Sequence, residues 1–194
     1  MMRGAELLAW IASQPAIERD REVDAWLGIA EAPPSTAPGD HLVGYHPSGV
    51  DSILEAAREV PITARDVVLD LGAGLGKVAL LIHLATGARA RGIEIQPALV
   101  ERARRAAARQ GATEVSFDVG DARSCDLGDA NVFFMYLPFT GPALLEVLAR
   151  LERIARERAI VVCTLGLDLE RHAPWLRRRP LAEDVFWLAV YDSC

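Results

Sequence analysis

The sequence predicts a doubly wound α/β fold, in which helices cover the faces of a mostly parallel β-sheet. From residue 66 onward, short runs of β-branched and other apolar residues alternate with longer segments whose apolar residues recur at helical spacing. The boundary residues agree, because Pro97 fits the first turn of a helix, and Gly87 and Gly111 fit positions just past helix ends. A chain of 194 residues, 51% hydrophobic and 25% charged, has the composition of one ordinary globular domain.

The N-terminal part of the chain predicts helices. Apolar residues at helical spacing indicate helices at residues 5–12 and 16–29. A third helix is expected from about residue 49 to residue 60, where Pro61 ends it. Between the second and third helices, residues 31–39 contain three prolines and a glycine, which predict an irregular connector.

Strands and helices then alternate along the rest of the chain. We expect strands at residues 66–71, 89–95, 114–119, 131–137 and 159–165, and helices at residues 75–86, 97–110 and 142–156. The apolar run from Val185 to Tyr191, with Leu181 near one strand, predicts a closing hairpin at the sheet edge. We expect residues 1–43 to form helices and a connector packed on the core, and residues 44–194 to form the main domain of a single compact unit.

Composition and charge exclude several classes of function. A net charge of −6 argues against sequence-independent binding to nucleic acid, which needs a concentrated basic surface. The apolar stretches are far shorter than the ~20 residues of a membrane span, so we expect no membrane association. The N-terminus lacks a secretion-signal pattern, and the three cysteines lack a pairing pattern, so we expect a cytoplasmic protein. The four histidines do not cluster; we expect no metal site and interpret them as surface or loop residues.

The most informative segment runs from Val67 to Gly76, where a buried strand leads into a glycine-rich loop and then a helix. Such a loop lets backbone N–H groups approach a ligand beyond the carboxyl end of a strand. A Walker A loop is excluded, because Leu71 stands where its first glycine is required and Val78 stands where Ser or Thr is required. A dinucleotide fingerprint would place its third glycine at Lys77, but here that glycine comes one position earlier.

The acid before the loop favours a positively charged ligand. Asp70 lies two residues before the first glycine, where its charge would repel a pyrophosphate but attract a cation. The segment from Asp70 to Gly76 resembles motif I of the seven-strand, Rossmann-like methyltransferases, whose cofactor S-adenosylmethionine (SAM) carries an ammonium group and a sulfonium. The resemblance implies a seven-stranded sheet and cofactor contacts from Asp70, Gly72, Ala73, Gly74 and Gly76.

Two further acids follow at the ends of the next two strands. Glu94, followed by Ile95, lies where a carboxylate accepts hydrogen bonds from ribose hydroxyls. The segment from Val119 to Ala122 resembles the family's adenine-contacting turn, which implies that Asp121 accepts a hydrogen bond from the adenine amino group. Taken singly, the glycine loop could be only a tight turn, and Asp70 or Asp121 could be a helix cap. The three acids together favour SAM binding.

The fourth strand ends in residues 133–141, where the family places the residues nearest the transferable methyl group. The acceptor-side candidates are therefore Tyr136, which is also expected to touch the cofactor, Pro138 and Phe139. Many amino-group methyltransferases have Asn or Asp, Pro, Pro and an aromatic residue here, whereas this chain has Tyr136-Leu137-Pro138-Phe139. The absent polar side chain disfavours adenine or glutamine amide as the acceptor. Residues 133–135 are interpreted as core.

A looser resemblance covers roughly residues 44–165. The loop Gly44-Tyr45-His46-Pro47-Ser48 before a helix is similar to the Tyr-x-Pro-Thr/Ser segment of the non-SET protein-lysine methyltransferases. This resemblance implies that Tyr45 and Ser48 contact the methionine end of SAM. The alternative is that Tyr45 is a packing residue and Ser48 a helix cap. The amide-rich fourth-strand motif and the basic tail of the histone enzymes are lacking in the sequence, so a histone substrate is not supported.

Together these patterns predict a SAM-dependent methyltransferase with an unidentified acceptor, either a protein lysine amine or a small molecule. A non-catalytic SAM-binding module and a nucleotide-dependent oxidoreductase are the alternatives. The acceptor pocket and the oligomeric state stay open, because acceptor pockets are built from loops that vary independently of the fold.

Overall fold

The protein folds around one mixed β-sheet whose strand order reverses in the middle. In the computed structural model, which describes residues 2–31, 39–182 and 187–194, seven strands are hydrogen-bonded in the order β3-β2-β1-β4-β5-β7-β6. The strands are β1 (Val67–Leu71), β2 (Arg89–Glu94), β3 (Val115–Val119), β4 (Val132–Tyr136), β5 (Val161–Leu165), β6 (Leu176–Arg178) and β7 (Leu188–Ser193). Strands β1 to β5 are parallel, and β7 runs antiparallel to β5 and β6. The predicted doubly wound, mostly parallel sheet is confirmed.

The position of β1 creates the crevice expected of this topology. Strand β1 pairs with β2 on one side and β4 on the other, so chain connections leave in opposite directions from this point. Ligands of open α/β sheets bind beyond the carboxyl ends of the strands at such a point. Asp70 stands here, in register with Gly92 of β2 and Phe134 of β4.

Six helices lie within the described residues. They are α1 (Gly4–Ser13), α2 (Arg19–Leu27), α3 (Val50–Glu59), α4 (Lys77–Thr86), α5 (Pro97–Arg109) and α6 (Gly141–Ala155). The bounds of α2 differ most from the sequence-based expectation, since this helix begins three residues later and ends two residues earlier than predicted. The other helices agree within one residue, except that α4 begins two residues later than predicted. The reason is Gly76, whose φ of 79° is left-handed and cannot continue into a right-handed helix. The proline-rich part of the connector, residues 32–38, lies outside the described residues.

The two faces of the sheet are covered unequally. Side chains of α1 to α5 pack against one face of the sheet, the first face, and form one buried cluster with its side chains. A second buried cluster lies on the opposite, second face of the sheet. Among the described helices, α6 alone contributes to it, and the loops 120–131 and 166–175 cover the rest of this face. Because side chains alternate along a strand, Val68 and Asp70 point toward the first face, and Leu69 and Leu71 toward the second.

The N-terminal helices share the first cluster. Leu7 and Ile11 of α1, and Val23 and Leu27 of α2, are buried against α4 and its neighbours. This packing brings α2 close to the start of α4 and to the beginning of α3. The division of the chain at residues 43 and 44 stays a prediction.

Two details differ from the sequence-based interpretation. His83 is a buried residue of α4, whose Nδ1 lies 2.9 Å from the Ala88 carbonyl oxygen, so the reading as a surface or loop histidine was wrong. The closing antiparallel pair is present, but its first strand is β6, earlier in the chain than Leu181; Val185 and Phe186 lie outside the described residues. Among the helices of the described chain, none is long and apolar enough to cross a membrane.

Candidate functional site

The glycine loop between β1 and α4 is tied to the end of β2. The N–H groups of Gly72 and Ala73 donate to the Ile93 carbonyl oxygen at 2.9 and 3.0 Å. The N–H of Gly74 donates to Oε2 of Glu94 at 3.0 Å. The loop therefore has a fixed path across the carboxyl ends of two strands, with its concave side toward the crevice.

Close packing explains the first two glycines of this loop. Both have positive φ, 84° at Gly72 and 54° at Gly74. A Cβ at Gly72 would lie 2.6 Å from the Cβ of Pro138, and a Cβ at Gly74 would lie 2.5 Å from the ring of Tyr45. The loop is thus in contact with one residue from the segment after β4 and one from the loop before α3, both predicted site residues. The third, Gly76, packs against Phe117 and lines neither of the cavities described below.

Asp70 is a buried carboxyl group that forms no ion pair with the residues that the structure describes. It is 3% exposed, and burial, followed by the charge of Glu94, raises its pKa to about 8. No group in the described part of the chain donates a hydrogen bond that stabilises its ionised form. A buried carboxylate in this state is costly unless a cation or donor joins it, so the arrangement fits a positively charged ligand. Asp70 does not cap a helix.

Glu94 is the second buried acid, and its orientation is fixed by the backbone. Its Oε2 accepts from Gly74 and its Oε1 accepts from the N–H of Gln96 at 2.9 Å. Each carboxylate oxygen has a further lone pair, so Glu94 keeps acceptor capacity for ligand hydroxyls. Ile95, which follows it, lines the same cavity.

Asp121 is held differently from the other two acids. Arg123 binds its carboxylate through the side chain, with Nη2 2.7 Å from Oδ2, and through the backbone N–H at 2.8 Å from Oδ1. These hydrogen bonds with the Arg123 side chain hold the pKa of Asp121 below its usual range. The predicted adenine contact therefore has a protein donor as competitor, and it stays a prediction. Ala122 lines the crevice beside it.

The predicted residues gather around two adjoining cavities. The larger is lined by Leu42, Val43, Gly44, Tyr45, His46, Gly72, Ile93, Glu94, Ile95, Gln96, Gly120, Asp121, Ala122, Tyr136, Pro138 and Phe139. The smaller is lined by Tyr45, His46, Pro47, Ser48, Asp70, Gly72, Ala73, Lys77, Val78 and Tyr136. The wall between them consists of the shared residues Tyr45, His46, Gly72 and Tyr136. Two predicted site residues, Gly74 and Gly76, line neither cavity; they lie close to the rings of Tyr45 and Phe117 instead.

The loop before α3 is fastened to the segment after β4. The N–H of Val43 donates to the Pro138 carbonyl oxygen at 3.2 Å, and an isolated bridge joins Leu42 to Phe139. This pairing explains why Tyr45 and Tyr136, far apart in sequence, share a wall. Ser48 is buried in the smaller cavity and its side chain makes no cap on α3; the reading as a helix cap was wrong. Residues 133–135 are fully buried, as expected of core.

Sequence reasoning missed the role of Lys77. We used Lys77 only to exclude other loop motifs, but its side chain is 4% exposed and lines the smaller cavity. Its Nζ lies 2.6 Å from Oδ1 of Asp20 and 2.8 Å from Oδ1 of Asp24, both on α2. The signal available in the sequence was the i, i+4 spacing of these two acids on a predicted helix.

The chain is similar to known methyltransferases in sequence and in fold. A family model described as a methyltransferase domain matches residues 62–167. An RNA methyltransferase from Salinibacter ruber, solved with S-adenosyl-L-homocysteine, is 29% identical with a TM-score of 0.59; the alignment covers 76% of this chain and 92% of that one. A SAM-dependent methyltransferase from Aquifex aeolicus has the same fold, with 16% identity, a TM-score of 0.57, and coverage of 73% and 88%. No curated protein matches the chain.

Proposed function

Because the chain belongs to the methyltransferase-domain family and is a SAM-dependent methyltransferase, we propose that its acceptor is an amine at the end of an alkyl chain, with a protein lysine as the leading candidate. The single observation that carries this proposal is the apolar and aromatic environment around Tyr136.

The proposed cofactor placement follows from the charges of the crevice. The ammonium group of SAM lies toward Asp70, whose buried carboxylate has no donor among the described residues. The ribose hydroxyls lie toward Glu94, and the adenine lies between Ile95 and Ala122 in the larger cavity. Tyr45 and Ser48 then cover the methionine end from the loop before α3.

The proposed acceptor path reaches the same point from outside. Tyr136 lines both cavities and also a surface groove whose other lining residues are Gly49, Ser52, Leu137, Leu165 and Trp187. Trp187 is 58% exposed at this groove. A mainly apolar groove with aromatic residues suits the methylene chain of a lysine, and its low polarity favours the neutral amine over the ammonium form.

The chemistry asks mainly for positioning. SAM supplies a methyl group on a sulfonium with a good leaving group, so the protein has to align the amine with it and exclude water. The nitrogen lone pair forms the new bond to the methyl carbon as the carbon–sulfur bond breaks. The proton lost from nitrogen passes to solvent. Tyr136 and Pro138 would hold the amine in line, and no side-chain base is required.

The test is methyl transfer from isotope-labelled SAM to lysine-containing peptides and to proteins of a cell lysate. We expect mass spectrometry to find methylated lysine. We expect Trp187→Ala to lower kcat/KM for the peptide by about tenfold, since an aromatic contact with the bound lysine chain would contribute on the order of 1 kcal/mol or more. SAM affinity should be unchanged in this variant. Ile17→Ala, at a fully exposed apolar residue, is the matched control.

RNA is the second candidate acceptor, favoured by the 29% identity to an RNA methyltransferase. The net charge of −6 gives no general attraction to phosphates. The same labelled reaction with total RNA, digested to nucleosides, separates the two candidates. Label in nucleosides with none in protein would overturn the amine proposal.

A further inference from the structure

Lys77 is the only lysine of the chain, which otherwise uses arginine for its basic residues. It is the first residue of α4 and follows directly on the glycine loop. Its side chain is buried and lines the smaller cavity together with Asp70. A cation in this place would be the natural partner of the buried Asp70 carboxylate.

The structure pairs Lys77 with other acids instead. Asp20 and Asp24 lie one turn apart on α2 and both approach Nζ of Lys77, at 2.6 and 2.8 Å. Burial, followed by the charge of Glu94, raises the pKa of Asp70, and within the described residues the ion pairs of Lys77 go to Asp20 and Asp24 and not to Asp70. Helix α2 therefore neutralises the lysine, while Asp70 has no ion pair within the described part of the chain.

This pairing matters for a cationic ligand. If Lys77 were paired with Asp70, a ligand ammonium would first have to displace it from a buried ion pair, and that competition would weaken binding. Asp70, the acid that distinguishes this crevice from a phosphate-binding loop, would then no longer be available to the ligand. A glycine loop followed by a lysine would otherwise favour an anion.

We propose that α2 holds Lys77 away from Asp70, so that Asp20 and Asp24 act as positioning residues that keep the cofactor site selective for the ammonium end of SAM. This inference rests on the proposed placement of SAM at Asp70. Asp20 has a second role, because the same Oδ1 accepts a hydrogen bond from the N–H of Val50 at 3.0 Å. One carboxylate thus links Lys77 to the first residue of α3, beyond the Tyr45–Ser48 loop.

The test compares ligands with and without the ammonium group. In the double variant Asp20→Asn, Asp24→Asn, the amide oxygen can still accept from Val50, but the charges that hold Lys77 are gone. We expect calorimetry to show about tenfold weaker binding of SAM and of S-adenosylhomocysteine, the loss typical of a charged hydrogen-bond partner. Methylthioadenosine, which lacks the amino-acid end, should bind as it does to the wild type.

Rescue by a third substitution separates this role from a merely structural one. Adding Lys77→Met to the double variant removes the competing cation, and affinity for S-adenosylhomocysteine should return to near the wild-type value. Equal losses for all three ligands, no loss, or no recovery with Lys77→Met would each overturn the proposal. Asp51→Asn, which breaks the Arg19–Asp51 ion pair between α2 and α3 without touching Lys77, is the matched control and should bind normally.

Two further variants, Asp20→Asn and Asp70→Asn, separate a failure to fold and a wrong cofactor placement from a failure of the proposed role of α2. If the double variant does not fold, the single variant Asp20→Asn, at a half-exposed side chain, gives the same comparison with a smaller expected loss. If the wild type fails to bind SAM, the cofactor placement fails and this inference fails with it. If the wild type binds SAM but Asp70→Asn binds equally well, the placement at Asp70 is wrong, whereas unchanged binding in the Asp20 and Asp24 variants alone overturns only the role of α2.

Discussion

Asp70 is a buried carboxyl group whose protonation links stability to pH. An unfolded aspartate titrates near pH 4, whereas burial and the neighbouring Glu94 raise the pKa of Asp70 to about 8 in the fold. Between about pH 4 and pH 8, the folded protein therefore keeps a proton on Asp70 that the unfolded chain has lost. The contribution of Asp70 to the free energy of unfolding is therefore fully present below about pH 4 and is lost as pH rises through about 8.

We predict that Asp70→Asn stabilises the ligand-free protein as pH rises. Relative to the wild type, its free energy of unfolding should gain on the order of 3 kcal/mol between pH 5 and pH 9, because the asparagine never ionises. Urea unfolding at the two pH values measures this. The matched control is Asp66→Asn, for which we expect the opposite change in the free energy of unfolding. Burial alone would raise the pKa of Asp66, but hydrogen bonds from Asn131 and Thr63 hold it below its usual value. Asp66→Asn should lose stability above pH 4. Parallel curves for wild type and Asp70→Asn would contradict the prediction.

Single acids of the candidate site could be anticipated from sequence, but their partners could not. Asp70 and Glu94 lie at the carboxyl ends of β1 and β2, so strand periodicity alone places them at the carboxyl edge of the sheet. That Asp121 is bound by Arg123, and Lys77 by acids of α2, depends on side-chain conformations and on the packing of α2 over α4. The contacts of Lys77 join residues that are far apart in sequence, and no local pattern connects them.

At the scale of elements, α6 has a position that the other helices lack. Helices α1 to α5 support one another on the first face, whereas α6 is the one described helix on the second. Its buried stripe includes Val147 and Leu151, which are fully enclosed, and Leu145 on the same helix is 50% exposed. Loss of a buried side chain here cannot be compensated by a neighbouring helix.

We predict that Leu151→Ala lowers the free energy of unfolding by about 2–5 kcal/mol, the usual cost of a cavity in a core. Leu145→Ala removes the same atoms from a half-exposed position of the same helix, and should cost less than about 1 kcal/mol. Chemical denaturation of both variants, with SAM affinity measured alongside, checks this. Equal losses in the two variants would mean that the second face is not packed as described.

The bounds of helices and strands with strong periodicity could be predicted within a few residues, but the loops that cover the second face of the sheet could not. The loops 120–131 and 166–175 replace helices on the second face with a few buried apolar residues such as Leu127 and Leu169. Short apolar runs inside loops have no periodicity, so sequence patterns give no signal for them. Sequence patterns also give no signal for the late start of α4, because it depends on the left-handed backbone conformation of a single residue, Gly76.

At the scale of the whole molecule, the N-terminal helices and the sheet share one core, although the sequence separates them by a proline-rich connector. Burial of Leu7 and Leu27 against α4, and the pairing of Lys77 with α2, would be lost together if these helices came away. We therefore propose that residues 1–43 and 44–194 unfold as one cooperative unit.

This cooperativity can be read from the tryptophans. Trp10 of α1 and Trp26 of α2 lie with ring centroids 5.4 Å apart, so their fluorescence reports the N-terminal helices. In a variant with Trp175→Phe and Trp187→Phe, we predict that tryptophan fluorescence and far-ultraviolet circular dichroism give the same urea midpoint. SAM should shift both midpoints equally, by an amount set by its concentration relative to its Kd. If fluorescence changed at lower urea than circular dichroism, the helices would form a separate unit that detaches first, and α2 could then release Lys77 while the sheet stayed folded.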